Sequence, residues 1–176
     1  MLRPTRYLAV LLAAMLATGV TLPPDASAAE PPSLLNPAPH RWVGGRLSPE
    51  LLAQLDALGV KEVISVAPDE ETPEVDEAAL LAAHGIRQHA IPVAGPEDLT
   101  RKKVEELDRV LRAAGDENVF LHCASGNRVG ALVALRAAWI EGLPVEEALR
   151  KGRAWGLTRL EPIVRERLQS GAAAQE

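Results

Sequence analysis

One segment of this chain constrains its fold more than any other part of the sequence. Three apolar residues at positions 119–121 predict the end of a buried strand, and they lead directly into His122 and Cys123, the only cysteine. A short loop that contains a glycine follows, and residues 129–140 carry a single charge, which predicts a buried helix. A strand, a tight loop and a helix in this order are typical of α/β folds with a binding site at the strand end.

This order of elements gives the cysteine a special chemical environment. Backbone N–H groups gather at the start of a helix, where they favour an anion or a thiolate. The predicted source of these groups is the loop after the cysteine, which comprises Ala124, Ser125, Gly126 and Asn127. The guanidinium of Arg128 is predicted to hold two oxygens of a tetrahedral anion, because its planar donors bind such groups in pairs. The pattern therefore indicates a nucleophilic thiolate at Cys123 more than an inert structural cysteine.

The sequence His122-Cys123-x-x-x-x-Arg128 resembles the signature loop of the cysteine-dependent phosphatases of the tyrosine and dual-specificity types. Those enzymes usually carry five residues between cysteine and arginine and a serine or threonine after it, whereas this chain has four residues and Val129. The four-residue spacing is similar to the active loop of rhodanese-type sulfurtransferases. The layout of residues 40–170 resembles a bacterial phosphatase-like family that also occurs beside metallo-β-lactamase-like hydrolases.

The resemblance implies roles for two further residues. It implies that His122 orders the loop and supports the thiolate. It also implies an aspartate, on the loop after residues 91–93, that protonates the leaving oxygen. Asp98 lies slightly downstream of that place, and it either serves as this acid or helps to begin the next helix.

Three hypotheses follow for the function. The leading one is a phosphatase-like hydrolase. The alternative is a rhodanese-like sulfurtransferase that carries a persulfide on Cys123. It accounts for the short loop, for Val129 and for the displaced acid together, because a persulfide is small and needs no strong acid. The third hypothesis is an inactive domain that binds an anion or a partner through the same loop.

Strands and helices alternate along the chain before the cysteine loop. Strands are predicted at residues 41–44, 60–66 and 87–93. Helix starts are predicted at Ser48 and Thr100 from their capping side chains, and only helices are predicted after the loop. The pattern predicts an α/β fold with a central, mostly parallel sheet of about four to five strands flanked by helices. The resemblance implies the dual-specificity-phosphatase version of this fold.

The segment at residues 68–77 is the most acidic part of the chain. Six carboxylates in ten residues are interpreted as a solvated surface. If the preceding strand runs parallel to the catalytic strand, the segment also forms an acidic rim near the cysteine.

The start of the chain has the composition of an export signal. Arg3 and Arg6 precede a largely apolar run at residues 8–22, and small residues follow at positions 26–28. The predicted segments are, in order, a secretory signal peptide at 1–28, a flexible lead-in at 29–40, a phosphatase-like catalytic domain at 41–170 and a tail at 171–176. The protein is therefore expected in the periplasm or outside the cell. It would contact the membrane only through an uncleaved signal peptide.

The charge and composition argue against nucleic acid, an anionic membrane, a metal or an organic cofactor as a partner. The net charge is −5, and loss of residues 1–28 with their two arginines and one aspartate would leave −6. A mildly acidic chain has no electrostatic basis for binding nucleic acid or an anionic membrane. Neither a His/Cys ligand cluster nor a glycine-rich nucleotide fingerprint is present, so no metal or organic cofactor is expected. The expected partner is a small oxyanion or phosphoester substrate, or a sulfur donor.

Overall fold

The computed structural model describes residues 33–173 of the chain. The predicted signal peptide, the first residues of the predicted lead-in and the last three residues of the predicted tail lie outside this range. The described residues form the strands β1 (Leu35–Ala38), β2 (Arg41–Gly44), β3 (Glu62–Ser65), β4 (Arg87–Ala90) and β5 (Val119–His122). They also form the helices α1 (Pro49–Ala57), α2 (Glu77–Ala83), α3 (Arg101–Ala114), α4 (Asn127–Trp139), α5 (Val145–Ala154) and α6 (Glu161–Ala173).

The strands make one sheet in the order β1-β2-β5-β3-β4, and β1 alone is antiparallel to its neighbour. The predicted α/β fold with a mostly parallel sheet is thereby confirmed. β5 lies at the centre, and His122 is in register with Gly44 on one side and Ser65 on the other. The carboxyl ends of β2, β5 and β3 therefore meet at one edge of the sheet, where the cysteine loop begins.

Side chains alternate between the two faces of the sheet, and each face has its own hydrophobic cluster. Ile64 and Leu121 belong to the cluster that includes residues of α3, α4, α5 and α6. Val63 and Phe120, their neighbours along the same strands, belong to the cluster that includes leucines of α1 and α2. Helices thus cover both faces, which is why all four residues of β5 are buried.

The predicted helix starts are confirmed by their capping bonds. Ser48 Oγ accepts a hydrogen bond from the backbone N–H of Leu51 at 3.2 Å, and Thr100 Oγ1 accepts one from Lys103 at 3.4 Å. These bonds satisfy N–H groups that a helix start leaves without partners. Helix α4 is buried along most of its length, as its apolar sequence predicts.

Two predictions about the ends of the domain are wrong. Residues 35–38 form β1, although the whole of 29–40 is predicted to be a flexible lead-in. Pro37 is compatible with this strand because an edge strand has one side without ladder partners. At the other end α6 continues to Ala173, so the first residues of the predicted tail are helical.

Two glycines let α4 and α5 approach at backbone distance. A Cβ atom on Gly130 would lie 2.1 Å from the backbone N of Leu157 and 2.7 Å from the carbonyl oxygen of Gly152. No side chain fits at that position without movement of the backbone. This contact fixes α4, and therefore the loop before it, against the segment after α5. Within residues 33–173, no helix is both long and apolar enough to cross a lipid bilayer.

Candidate active site

A cavity of about 350 Å³ opens beside the carboxyl end of β5. The cysteine loop forms one wall through Cys123, Ala124, Ser125, Asn127 and Arg128. The other lining residues are Glu71, the segment Ala94, Gly95 and Pro96 after β4, and Arg159 with Leu160 before α6. The structure thus brings the predicted nucleophile and the predicted anion-binding arginine into one cavity.

Cys123 follows β5 directly, and only 1% of its surface is exposed. The side chain reaches the cavity and lies close to the Arg128 guanidinium. The pKa of Arg128 is raised above its ordinary value, chiefly by its hydrogen bonds to Glu71 and, against an opposing effect of burial, by the nearby sulfur. The predicted nucleophile and the predicted anion-binding cation are therefore neighbours in the cavity.

Glu71 holds the Arg128 side chain in place. Arg128 Nη1 donates to Glu71 Oε1 at 2.5 Å, and Nη2 donates to Oε2 at 2.7 Å. Nη1 also donates to the carbonyl oxygen of Val93 at 2.7 Å. These three hydrogen bonds use three of the five N–H groups of Arg128. The other two, Nε–H and the second Nη2–H, together form the side fork of the guanidinium. That fork has no hydrogen-bond partner among the described residues.

The same contact sets the protonation of Glu71. The hydrogen bonds from Arg128 lower the pKa of this carboxyl, and Arg46, 3.7 Å away, acts in the same direction. The carboxylate is therefore charged at neutral pH. Glu71 lies in the acidic segment that the sequence predicts to be a solvated surface, so for this residue the prediction is wrong.

A second carboxylate of the acidic segment, Glu77, contacts the histidine that precedes the cysteine loop. His122 is 1% exposed, and its Nε2 lies 3.0 Å from Glu77 Oε1. Burial acts to raise the pKa of Glu77, but hydrogen bonds from His122, Ser65 and Gln88 outweigh it, so the pKa is lower than usual. The His122 ring also stacks on Phe120 with 5.4 Å between centroids. These contacts fix the residue that precedes the nucleophile.

His122 is not among the residues that line the cavity. Its Nδ1 is buried and has no hydrogen-bond partner within the described residues. The placement agrees with the ordering role that the resemblance implies, and it gives the imidazole no direct path to a substrate.

The loop itself adopts the conformation that glycine permits. Gly126 has φ +80°, in the left-handed region, and it precedes α4 without a side-chain cap. An uncapped helix start leaves N–H groups for an anion. The Asn127 side chain serves another purpose, because its Oδ1 accepts hydrogen bonds from Thr158 N at 2.8 Å and Leu160 N at 3.3 Å. Asn127 thereby fastens the segment before α6 to the cysteine loop.

The Asp98 carboxylate is engaged in contacts with its own segment. It does not line the cavity, and its Oδ2 accepts from the backbone N–H of Ala94 at 2.8 Å. Lys103 Nζ lies 3.0 Å from Oδ1. The pKa of Asp98 is lowered, chiefly by the Ala94 N–H and then by Lys103, so the group is a charged carboxylate at neutral pH. These contacts support a structural role for Asp98 and argue against the predicted role as the acid.

The segment that contains Asp98 is also held by α6. Arg167 Nη2 donates to the carbonyl oxygen of Pro96 at 2.8 Å, and Nη1 donates to that of Leu99 at 3.2 Å. These bonds fix the backbone on both sides of Asp98. Among the described residues, no group of three His, Cys, Asp or Glu side chains lies together in a way that could hold a metal ion.

Three residues of the site are missing from the sequence prediction, namely Glu71, Glu77 and Arg159. The two glutamates lie in a run of carboxylates whose members look alike in sequence. Their partners follow more than 40 residues later, so no local spacing connects them. Arg159 precedes α6 and reaches the cavity only through the packing of that segment on the cysteine loop.

No family model and no curated protein matches the sequence. Solved structures do match. A candidate phosphatase from Neisseria meningitidis is 30% identical, the match covers 77% of this chain and 96% of that one, and the TM-score is 0.63. A candidate phosphatase from Shewanella putrefaciens is 21% identical, with 80% and 89% covered and a TM-score of 0.61. TpbA from P. aeruginosa is 21% identical, with 78% and 83% covered and a TM-score of 0.61.

The matches to the Shewanella putrefaciens and P. aeruginosa structures show that the fold is shared. The match to the Neisseria meningitidis structure combines 30% identity with coverage of 77% of this chain and 96% of the other. This chain therefore belongs to the same phosphatase-like family as the Neisseria meningitidis protein.

Proposed function

We propose that this protein is a phosphatase-like hydrolase that uses the Cys123 thiolate as its nucleophile. The observation that carries the proposal is the meeting of Cys123 and Arg128 in one cavity at the start of α4. In the first step the sulfur bonds to phosphorus while the bond from phosphorus to the leaving oxygen breaks. In the second step a water oxygen attacks phosphorus, the sulfur–phosphorus bond breaks, and phosphate and the thiolate are released. Solvent takes the proton of that water and supplies the proton that the leaving oxygen gains.

The charge that develops on the transferred group needs fixed donors. The side fork of Arg128 would bind two of its oxygens, because Glu71 occupies the other fork. The remaining charge would be bound by those backbone N–H groups of the loop Ala124, Ser125, Gly126 and Asn127 that the bridge between Ser125 and Gly45 leaves unbonded. Donors that are already oriented cost little reorganisation when the charge moves, which is how such loops accelerate transfer.

The lining of the cavity favours substrates with a stable leaving group. Glu71 is the one carboxylate among the described residues that line it, and that carboxylate is committed to Arg128. A group with a lowered pKa is a poor proton donor at neutral pH. We therefore expect small phosphoesters whose leaving oxygen departs as a stable anion, such as aryl phosphates, to react best.

Sulfur transfer is the second candidate function, and the same lining favours it. A thiolate that attacks the outer sulfur of thiosulfate forms one sulfur–sulfur bond, breaks another and releases sulfite. Sulfite departs as a stable anion, so no carboxylic acid is required.

One experiment compares the two functions. Wild-type protein, Cys123→Ser and Arg128→Lys are assayed with 4-nitrophenyl phosphate, and each is also incubated with thiosulfate and weighed by intact-mass spectrometry. Hydrolysis by the wild type, its loss in Cys123→Ser and a large decrease in Arg128→Lys support the phosphatase. An inert aryl phosphate together with one sulfur atom added to Cys123 would reject it in favour of sulfur transfer.

We also propose that the protein acts outside the cytoplasm, on the basis of the sequence of residues 1–28. Fractionation of cells that produce the full chain, followed by N-terminal mass spectrometry, tests this directly. A mature protein in the periplasm or medium that begins after Ala28 supports the proposal. An intact chain confined to the cytoplasm contradicts it.

A further inference from the structure

Arg159 is an exposed cation on the lining of the cavity that holds Cys123 and Arg128. Neighbouring arginines are engaged: Arg153 Nη1 donates to Glu161 Oε1 at 2.9 Å, and Arg165 binds Glu146 and Glu161. The Arg159 guanidinium, by contrast, has no ion pair or hydrogen bond with another residue in the described part of the chain. Its charge therefore remains available at the mouth of the cavity.

The backbone of Arg159 is fixed relative to the cysteine loop. The residues on either side of it, Thr158 and Leu160, donate their N–H groups to Asn127 Oδ1 at 2.8 and 3.3 Å. Asn127 is itself buried at the start of α4. A few residues earlier, Gly156 packs so closely that a Cβ atom there would lie 3.1 Å from the carbonyl oxygen of Gly126. The backbone from which the Arg159 side chain extends is thus fixed beside Cys123.

The charges in the cavity are unequally compensated. Glu71 makes two hydrogen bonds to Arg128 and offsets much of its charge. Arg159 has no such carboxylate among the described residues. An anion bound at Cys123 and Arg128 would fill the inner donors and leave the outer guanidinium free. Because a guanidinium binds phosphate and carboxylate groups in pairs of hydrogen bonds, a second anionic group on the same ligand would complete the arrangement.

We propose that Arg159 is a specificity-determining residue that binds a second anionic group of the substrate. The substrate class is then a small phosphoester with an additional phosphate group, and this assignment rests on the proposed binding of a phosphoester at Cys123. Arg159 acts on recognition of the substrate. It would lower KM for such substrates and leave the rate of the chemical step little changed.

Binding to the Cys123→Ser protein tests the inference without turnover. Its affinity for 1,4-phenylene bisphosphate and for phenyl phosphate is measured by calorimetry, alone and combined with Arg159→Ala, Arg159→Lys or Arg109→Ala. Arg109 is the matched control, since it is an exposed arginine on α3 outside the cavity lining. The bisphosphate is expected to bind about tenfold more tightly than the monophosphate, which is the size of effect expected for one charge-assisted contact.

Arg159→Ala is expected to remove most of this preference, Arg159→Lys to keep part of it, and Arg109→Ala to leave it unchanged. Equal affinities for the two ligands, an unchanged preference in Arg159→Ala, or no binding of either ligand would overturn the inference. Turnover by the protein with Cys123 intact separates this result from the proposed function. A bisphosphate preference without hydrolysis of either ester rejects the hydrolase and keeps the second anion site. Hydrolysis without a bisphosphate preference keeps the hydrolase and rejects the second anion site.

Discussion

The Glu71 carboxylate and the Arg128 guanidinium face each other through two hydrogen bonds, of 2.5 Å at Nη1 and 2.7 Å at Nη2. They come from different elements, since Glu71 follows β3 and Arg128 lies in the first turn of α4. The pair occupies the end fork of the arginine and leaves its side fork, Nε–H and one Nη2–H, without a partner among the described residues. Glu71 is therefore a positioning residue that acts through Arg128.

Replacement of Glu71 by alanine releases this guanidinium. We expect kcat/KM for an aryl phosphate to fall about 10- to 100-fold, because small displacements of an orienting group have effects of that size. Glu71→Gln retains an acceptor and should lose less. Steady-state assays check this, with Glu74→Ala as the control from the same segment, where Glu74 is exposed. A rise in kcat/KM would instead mean that the carboxylate competes with the substrate.

The position of Asp98 gives a second prediction. A general acid contributes about 10²- to 10⁴-fold to the rate, whereas the contacts of Asp98 are those of a structural carboxylate. Asp98→Asn keeps an acceptor for the Ala94 N–H, so we expect kcat/KM to change less than about threefold, a small fraction of that range. Asp98→Ala should lower the melting temperature because that N–H loses its partner.

The dependence of rate on the leaving group provides the matching kinetic test. Without an acid in the cavity, log kcat/KM should decrease steeply across aryl phosphates as the leaving phenol becomes less acidic. The slope should be the same in the wild type and in Asp98→Asn. A shallow slope in the wild type that steepens in the variant would restore Asp98 as the acid.

The half-buried Glu77 predicts a defined dependence of stability on pH. Its pKa is lowered in the folded state, so its contribution is fully present above the unfolded value of about 4.3 and is lost as pH falls through the lower folded pKa. Urea unfolding of the wild type and of Glu77→Gln should therefore differ most near neutral pH. The two curves should converge in acid, and a constant difference at every pH would contradict the prediction.

The space around two helical glycines predicts opposite effects of replacing them by alanine. A Cβ atom on Gly130 would meet backbone at 2.1 Å, so Gly130→Ala should cost at least about 1–3 kcal/mol in free energy of unfolding. Gly171 lies in α6, where a Cβ atom would come no closer than 3.9 Å to Trp139 Nε1. Gly171→Ala should therefore leave stability unchanged or raise it. Denaturant unfolding of both variants measures the difference.

Most of the fold was predicted from local patterns in the sequence. The caps at Ser48 and Thr100, the apolar run of α4 and the β-branched residues of β3 each act over a few neighbouring residues, and sequence records such effects directly. β1 could not be predicted in this way, because its residues are Pro- and Ala-rich like a linker. It becomes a strand through pairing with β2 at the edge of the sheet.

The site was predictable in its centre and not at its margins. Cys123 and Arg128 are neighbours in sequence, so their spacing was visible. Glu71 and Arg159 reach the same cavity from segments before and after the loop, and only the folded chain brings them together. For Asp98 the sequence left two roles open, and its contacts with Ala94 and Lys103 favour the structural one.

The nucleophilic role of Cys123 is tested most directly by the rate of 4-nitrophenol release from 4-nitrophenyl phosphate, with wild type and Cys123→Ser measured side by side. Cys123→Ser replaces a single sulfur by oxygen at a buried position, and circular dichroism establishes that the fold is kept. We predict steady hydrolysis by the wild type and a rate for Cys123→Ser at the level of the buffer. Equal rates for the two folded proteins would contradict the assignment of Cys123 as the reactive group.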